Sequence, residues 1–208
     1  MDKKYWENYY SLPDSTLNVP SLFAKFVLEH CLNEKDSIIE LGCGNGRDCI
    51  FFARHNIKVY AVDQSEKEIL ALSKENFLDN LTFKAADFSK LPDGNPYEAV
   101  YSRFTLHSIS EDEESRVVSW TARNLKPGGK FIIEARGKKN ELYKKGEAVS
   151  GENDAYVYND HYRRFIDKDN LDKKIIGSGL KIESSEEKTG FAPFEDTDYH
   201  FIRIIASK

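Results

Sequence analysis

The sequence predicts a doubly wound α/β fold with a mostly parallel sheet. Three observations predict it. Short apolar runs alternate with helix-period segments between residues 36 and 136. The first run ends in a glycine-rich turn, "ELGCGNGRD", that opens straight into a helix-like stretch. The next two runs, "KVYAVD" and "LTFKAAD", each close on an aspartate.

The elements follow in order. "PSLFAKFVLEHCL" places Phe23, Phe26, Val27 and Cys31 at helical spacing, and Pro20 suits a first turn. "SIIELGC" reads as a buried strand, and "GRDCIFFARH" as a helix that Asn56 can end. "KVYAVD" is a second strand. "SEKEILALSKEN" opens on Ser65 and Glu68, the spacing of a capping box, and is a helix. "LTFKAAD" and "YEAVYSRF" are the third and fourth strands. The acidic helix "SEDEESRVVSWTARNL" follows, and "KPGG" turns the chain into the fifth strand, "KFIIEAR".

After Arg136 the pattern changes. Residues 137–166 are polar, Gly-bearing and mixed in charge, as in an inserted loop or small cap over the working edge of the sheet. "DKDNLDKKIIGSG" resumes as a helix, and "LKIESSEEK" and "HFIRIIASK" read as an antiparallel strand pair closing the sheet. The expected organisation is one domain over residues 1–208. An N-terminal lid and first helix occupy 1–35, a ligand-binding core 36–136, the insertion 137–166, and the closing helix and strand pair 167–208.

Composition narrows the function. Hydrophobic residues make up 40% of the 208 and charged residues 31%, enough for a packed core under a solvated surface. The net charge of −5 argues against nucleic acid or an anionic membrane as the partner. Cys31, Cys43 and Cys49 contain no C-x-x-C pair and are odd in number, which points to reduced thiols and a cytoplasmic location. No run has membrane-spanning length, and "MDKKYWENYY" lacks a signal-peptide apolar region. The oligomeric state is left open, and no metal site is expected.

A glycine loop between strand and helix lets backbone approach a ligand and aims free N–H groups at it. Here the order is Gly42, Gly44, Gly46, one residue shorter at the last interval than the pyrophosphate-cradling pattern, and Glu40 precedes it. A carboxylate there repels a pyrophosphate and suits a cationic cofactor. Asp63, at the end of the second strand, can accept both hydroxyls of a ribose, though a helix cap alone would also explain it. Asp87 can take a purine amine, with the Phe88 backbone N–H on a ring nitrogen. An adenosine without phosphate and with a positive charge elsewhere fits all three carboxylates, and S-adenosylmethionine has that form.

"ELGCGNGRD", "YAVDQS", "AADF" and "LKPGGKFIIEAR" resemble, in order and spacing, the motifs of class I S-adenosylmethionine-dependent methyltransferases, closely over residues 36–136. The resemblance implies a Rossmann-like seven-stranded sheet whose last strand is antiparallel. It implies a cofactor site at Glu40, Gly42, Cys43, Gly44, Asn45, Gly46, Asp63, Gln64, Ser65, Asp87, Phe88 and Ser102. Tyr5, Trp6 and Tyr10 are further candidates, as an aromatic lid over the cofactor's sulfonium, the alternative being a strap packed on the core.

The acceptor is expected at the carboxyl end of the fourth strand, where Arg103 and His107 stand. Arg136 ends the fifth strand, and "HYRRF" adds His161, Tyr162, Arg163 and Arg164. Local packing of His107 and a solvated basic face are the plainer readings of these residues. Arginine is the preferred bidentate ligand of carboxylate and phosphate oxygens, and arginines outnumber candidate bases here. This tilts the acceptor toward an anion such as a phosphate or phosphoramidate. The same stretches resemble methyltransferases of bacterial surface-polysaccharide (capsule or O-antigen) loci, which implies a small-molecule or glycan-linked acceptor. One alternative is a sugar-hydroxyl O-methyltransferase with His107 or His161 as base. An RNA- or protein-directed enzyme is disfavoured by the acidic charge and by the lack of an N-P-P-Y-type tetrapeptide after the fourth strand. A non-catalytic cofactor-binding partner subunit is a further alternative.

Overall fold

The computed structural model describes residues 19–208. Its elements, in chain order, begin with α1 (Leu22–His30), β1 (Ser37–Leu41), α2 (Arg47–Arg54), β2 (Lys58–Asp63), α3 (Glu66–Glu75) and β3 (Leu81–Ala85). They continue with β4 (Tyr97–Arg103), α4 (Glu111–Asn124) and β5 (Leu125–Ala135). A small excursion follows as β6 (Glu147–Ala148), β7 (Ala155–Tyr158) and β8 (His161–Arg164). The chain closes with α5 (Lys168–Gly177), β9 (Lys181–Lys188) and β10 (Phe201–Ser207).

The principal sheet has seven strands in the order β3-β2-β1-β4-β5-β10-β9. Strands β3 to β5 pair in parallel, and β10 runs antiparallel between β5 and β9. β1 is apolar almost without interruption because both of its faces are covered. Ile38 points to the side of α1 and α2, among Phe23, Val27, Cys49 and Phe52. Its neighbour Ile39 points to the opposite side, where Val117 and Val118 of α4 and Leu171 and Ile175 of α5 cover the sheet.

Local chemistry sets the helix ends. Ser110 and Glu113 form a full reciprocal capping box at the start of α4. At α3 the Ser65 hydroxyl accepts from the Glu68 N–H at 3.4 Å. Asn56, just past α2, has φ 62°, the left-handed geometry that stops a helix. Two expectations are corrected. Pro20 lies before the N-cap rather than in the first turn, because Ser21 caps α1 through its hydroxyl, 2.9 Å from the Ala24 N–H. "KPGG" is not a separate turn but lies within β5, where Gly128 N–H donates to Lys208 O and Lys208 N–H donates to Gly129 O. Lys208 thus satisfies the Gly128 N–H and the Gly129 carbonyl.

The insertion is a three-stranded antiparallel sheet, β6-β7-β8. It is fastened to the core by the Ile166 N–H on Arg136 O and by a buried Arg164–Glu114 ion pair. None of the described residues form a helix long and apolar enough to cross a membrane.

Candidate functional site

The winding direction of the sheet reverses between β1 and β4, and in open α/β sheets such a switch point leaves a crevice at the carboxyl ends of the strands. A cavity of about 800 Å³ opens there. It is lined by the residues that follow β1, β2, β4 and β5, by β8, and by the β9–β10 connection.

The first end of the cavity is built by the glycine loop. Gly42 has φ +77°, and a Cβ there would stand 2.3 Å from Thr105 Cγ2, so the loop can lie against the β4 connection only without a side chain. Gly46 caps α2 at φ +81°. Asp63 holds the loop in place, accepting the Gly44 N–H at 3.0 Å and the Ser65 N–H at 2.9 Å. Burial pushes its carboxyl up, against the pull of those N–H groups. The cap of α3 is Ser65 and not Asp63, which braces the loop and lines the cavity beside Gln64. Cys43, Gly44, Asn45 and Phe88 line the same end.

Glu40 is the exceptional group here. It is 4% exposed and lines the cavity, yet its Oε2 has no hydrogen-bond partner among the described residues. Burial pushes its carboxyl well above the usual range, and the nearby Cys49 and Asp48 add to this. An unpaired buried acid is costly unless a ligand completes it.

The other end is basic and aromatic. Arg103 reaches the cavity from β4 with its Nε 3.1 Å from Glu134 Oε1, and Arg203 Nη2 takes the second oxygen of that carboxylate at 2.7 Å. Glu134 is fully buried and shared between the two guanidinium groups. Arg136 differs: no carboxylate stands within ion-pair distance of it among the described residues, and its side chain bonds only the Asn140 amide oxygen, at 3.2 Å. Burial draws its pKa down to about 10, and Arg163 adds to the effect. It lies over the Phe201 ring at 4.9 Å and near Phe104 at 5.7 Å. Phe104 has φ +58°, uncommon for an aromatic residue, and this geometry stacks its ring on Phe201 with Arg103 4.1 Å above it.

His107 is buried on the 3₁₀ turn after β4 and lines the cavity. Its Nδ1 accepts the Arg136 backbone N–H at 3.2 Å. Burial lowers its pKa well below the ordinary histidine value, and Arg136, His161 and Arg163 add to the shift. His161 and Arg163 of β8 line the wall beside it, and burial and the arginines depress His161 to about 3.

Several expected residues lie elsewhere. Arg164 turns away from the cavity. It is buried against Glu114 and donates to the carbonyls of Ile109 and Leu106, so its charge fastens the insertion to α4. Its neighbour Arg163 lines the cavity because successive strand residues face opposite ways. Tyr162 is also outside the lining, with its hydroxyl on Glu152 at 2.6 Å. Asp87 does not line the cavity. Its carboxylate caps the 3₁₀ turn Phe88–Lys90, accepting from the Ser89 N–H and hydroxyl and from Lys90 Nζ. Ser65 and Ser102 are buried supports, the latter bonded to Thr105 Oγ1 at 2.6 Å. Tyr5, Trp6 and Tyr10 lie outside the described residues.

The structure adds residues that carried no signal in the sequence. Asp48 anchors the start of α1, taking the Ser21 N–H at 2.8 Å, the Ser21 hydroxyl at 2.7 Å and the Tyr101 hydroxyl at 2.8 Å. Phe191, Phe194 and Tyr199 bring the β9–β10 connection over the basic end.

The arrangement is that of the Rossmann-like methyltransferase fold. Residues 38–129 match a family described as a methyltransferase domain. A solved S-adenosylmethionine-dependent methyltransferase of Methanosarcina mazei superposes with a TM-score of 0.74 at 18% identity, covering 88% of this chain and 96% of that one. The 1,6-didemethyltoxoflavin-N1-methyltransferase of Burkholderia thailandensis, solved with S-adenosylhomocysteine, gives 0.70 at 17% identity, covering 99% and 83%. Among curated proteins, an uncharacterized methyltransferase of Bacillus cytotoxicus is 25% identical over 51% of this chain and 50% of its own. The cypemycin N-terminal methyltransferase of a Streptomyces species is 28% identical over 60% and 52%. The chain thus spans about half the length of these curated relatives. Together the likenesses show the fold shared by S-adenosylmethionine-dependent methyltransferases.

The residues present fit that cofactor. The Gly42 cradle is closed to any Cβ, and the orphaned Glu40 carboxyl stands where a cation would complete it. Asp63 and Gln64 line the wall at the end of β2.

Proposed function

We propose that the protein transfers a methyl group from S-adenosylmethionine to a small or glycan-linked acceptor that presents an anionic group, of phosphate or phosphoramidate type. The observation that carries the acceptor reading is Arg136, a half-buried guanidinium on the cavity wall with no carboxylate within ion-pair distance among the described residues. Such a charge is costly in the empty protein and is recovered when an anion enters. The named relatives include a cypemycin N-terminal methyltransferase and a 1,6-didemethyltoxoflavin-N1-methyltransferase, so the acceptor has to be read from this chain's own wall.

When bound, the cofactor supplies a methyl on a sulfonium whose C–S bond breaks with its electron pair returning to sulfur. The protein's residues do the rest. Glu40, Asp63 and the Gly42–Gly46 loop hold the cofactor, with Cys43, Asn45, Gln64 and Phe88 around it. Arg103, Arg136 and Arg163 would hold and orient the anionic group of the acceptor. An anionic oxygen carries no proton to remove, so this end needs positioning rather than a base. The aromatic rings of Phe104, Phe201 and Phe194 exclude water. The N-terminal aromatics Tyr5, Trp6 and Tyr10 are assigned to a lid over the cofactor. A cytoplasmic role in surface-polysaccharide biosynthesis is the setting we favour, and it rests on motif resemblance alone.

The test is methyl transfer to a panel of sugar phosphates and their neutral parents. Transfer to a phosphorylated member, and to no neutral parent, is expected. Methylation of a neutral parent by the wild-type protein as efficient as that of its phosphate would overturn the anionic reading.

A further inference from the structure

We infer that His107 serves the acceptor as a fixed N–H donor and not as a base. A backbone N–H can only donate, so the ring nitrogen it meets must carry the lone pair. The Arg136 N–H meets Nδ1 at 3.2 Å. A neutral His107 ring therefore carries its proton on Nε2. His107 also lines the cavity, and its only side-chain hydrogen bond among the described residues is the one at Nδ1. The edge left to serve a ligand is Nε2–H.

The surroundings keep the ring neutral. Arg136 follows β5, Arg163, Arg164 and His161 belong to β8, and Phe104 packs its ring 5.8 Å away. Burial and these cationic neighbours act most strongly on the ring, and all of them disfavour imidazolium. The lone pair that a base would need is turned away from the cavity and already engaged. Removing a proton from a hydroxyl with Nε2 would first require His107 to lose the proton it holds there, which means an imidazolate. An anionic oxygen asks the opposite of the residue, a donor, and finds one beside the guanidinium groups.

One residue thus ties two functions together: the segment that carries Arg136 into the cavity also sets the tautomer of His107. Arg136 and His107 form one anion-holding unit, with the main chain of the first orienting the ring of the second. This inference rests on the anionic-acceptor reading for what the donor meets, while the tautomer stands independently of it. It leaves His161 as the remaining imidazole lining the cavity.

The experiment is nitrogen NMR of the full-length protein labelled at histidine, with inorganic phosphate as the probe and no cofactor. The expected spectrum shows His107 neutral from pH 6 to 8, protonated on Nε2 and not on Nδ1. Phosphate should shift the Nε2–H signal. Phosphate affinity should fall roughly tenfold in His107→Ala, as for loss of one hydrogen bond to a charged group. His107→Gln, which keeps an N–H near the Nε2 position, should stay within about threefold of wild type. A proton on Nδ1, or a ring that titrates between pH 6 and 8, overturns the inference even if the variants fail to fold. Phosphate that binds without touching the His107 signal sinks the donor role and leaves the anionic reading standing. If wild type binds no phosphate at all, both fail.

Discussion

The two ends of the cavity are opposites in charge and alike in logic. At the glycine-loop end Glu40 is a buried acid whose charged form is disfavoured, and at the far end Arg136 is a half-buried base whose charged form is disfavoured. Among the described residues neither has a carboxylate or cation within ion-pair distance. Other charges are buried in pairs, as in Arg164 with Glu114 and Arg103 and Arg203 with Glu134. The paired groups hold segments together. In the proposed reading the unpaired ones are completed by ligands of opposite sign, a cation at one end and an anion at the other.

The largest effect expected from breaking this contrast lies at the basic end. Arg136→Met should cut kcat/KM for an anionic acceptor by at least about thirtyfold, the scale of losing a buried charge partner, roughly 2 kcal/mol or more. The same change should leave the melting temperature of the ligand-free protein unchanged or raise it by a few degrees, because an uncompensated buried charge is gone. A melting temperature that falls instead would mean that Arg136 is a structural residue like Arg164.

At the acidic end, Asp63→Asn should weaken S-adenosylhomocysteine binding by roughly ten- to a hundredfold, corresponding to about 1.5 to 3 kcal/mol of charge-assisted hydrogen bonding. Calorimetric titration measures it, and acceptor affinity should not change. Burial pushes the Glu40 carboxyl up, so a cationic cofactor that favours its charged form should release protons on binding. The binding enthalpy would then depend on the buffer's ionisation enthalpy, and in Glu40→Gln that dependence should vanish.

A smaller effect concerns the seam between the ends, where Gly42 lies against Thr105. Gly42→Ala introduces a strained φ and a clash, and backbone strain of about 1 to 3 kcal/mol should lower the melting temperature by roughly 3 to 10 °C. Adding Thr105→Ser removes the clashing methyl and keeps the hydroxyl bonded to Ser102, so part of the loss should return. No recovery in the double variant would place the cost entirely in the backbone angle.

The gentlest probe is pH. His107 and His161 have folded-state pKa values depressed below that of the unfolded chain, His161 to about 3. Below about pH 6.5 the unfolded chain takes up protons that the folded protein refuses. The stability these groups contribute is therefore present above that pH and is lost as pH falls toward 3. Melting curves between pH 7 and 4.5 should show the decline, and His161→Gln should flatten it.

The cofactor end was largely legible in the sequence, because β1, the glycine loop, α2, β2 and Asp63 follow one another along the chain. Hydrophobic period, glycine spacing and a carboxylate at a strand end are local signals, and the strand order and antiparallel β10 accord with them. Asp87 illustrates the limit of spacing: the position was visible, but its engagement with Ser89 and Lys90 depends on a turn geometry that composition does not specify. The basic end was legible only as a set of residue types. Which arginine faces the cavity follows from pairing register, so Arg163 lines it while Arg164 is spent on Glu114, a residue 50 positions away in the sequence. That Arg103 is half-neutralised by Glu134 and Arg136 is not, and that His107 offers Nε2 rather than Nδ1, are consequences of the distances between β4, β5, β8 and β10. Local sequence determines what a residue can donate or accept; only the packed sheet determines which of those capacities its neighbours have already taken.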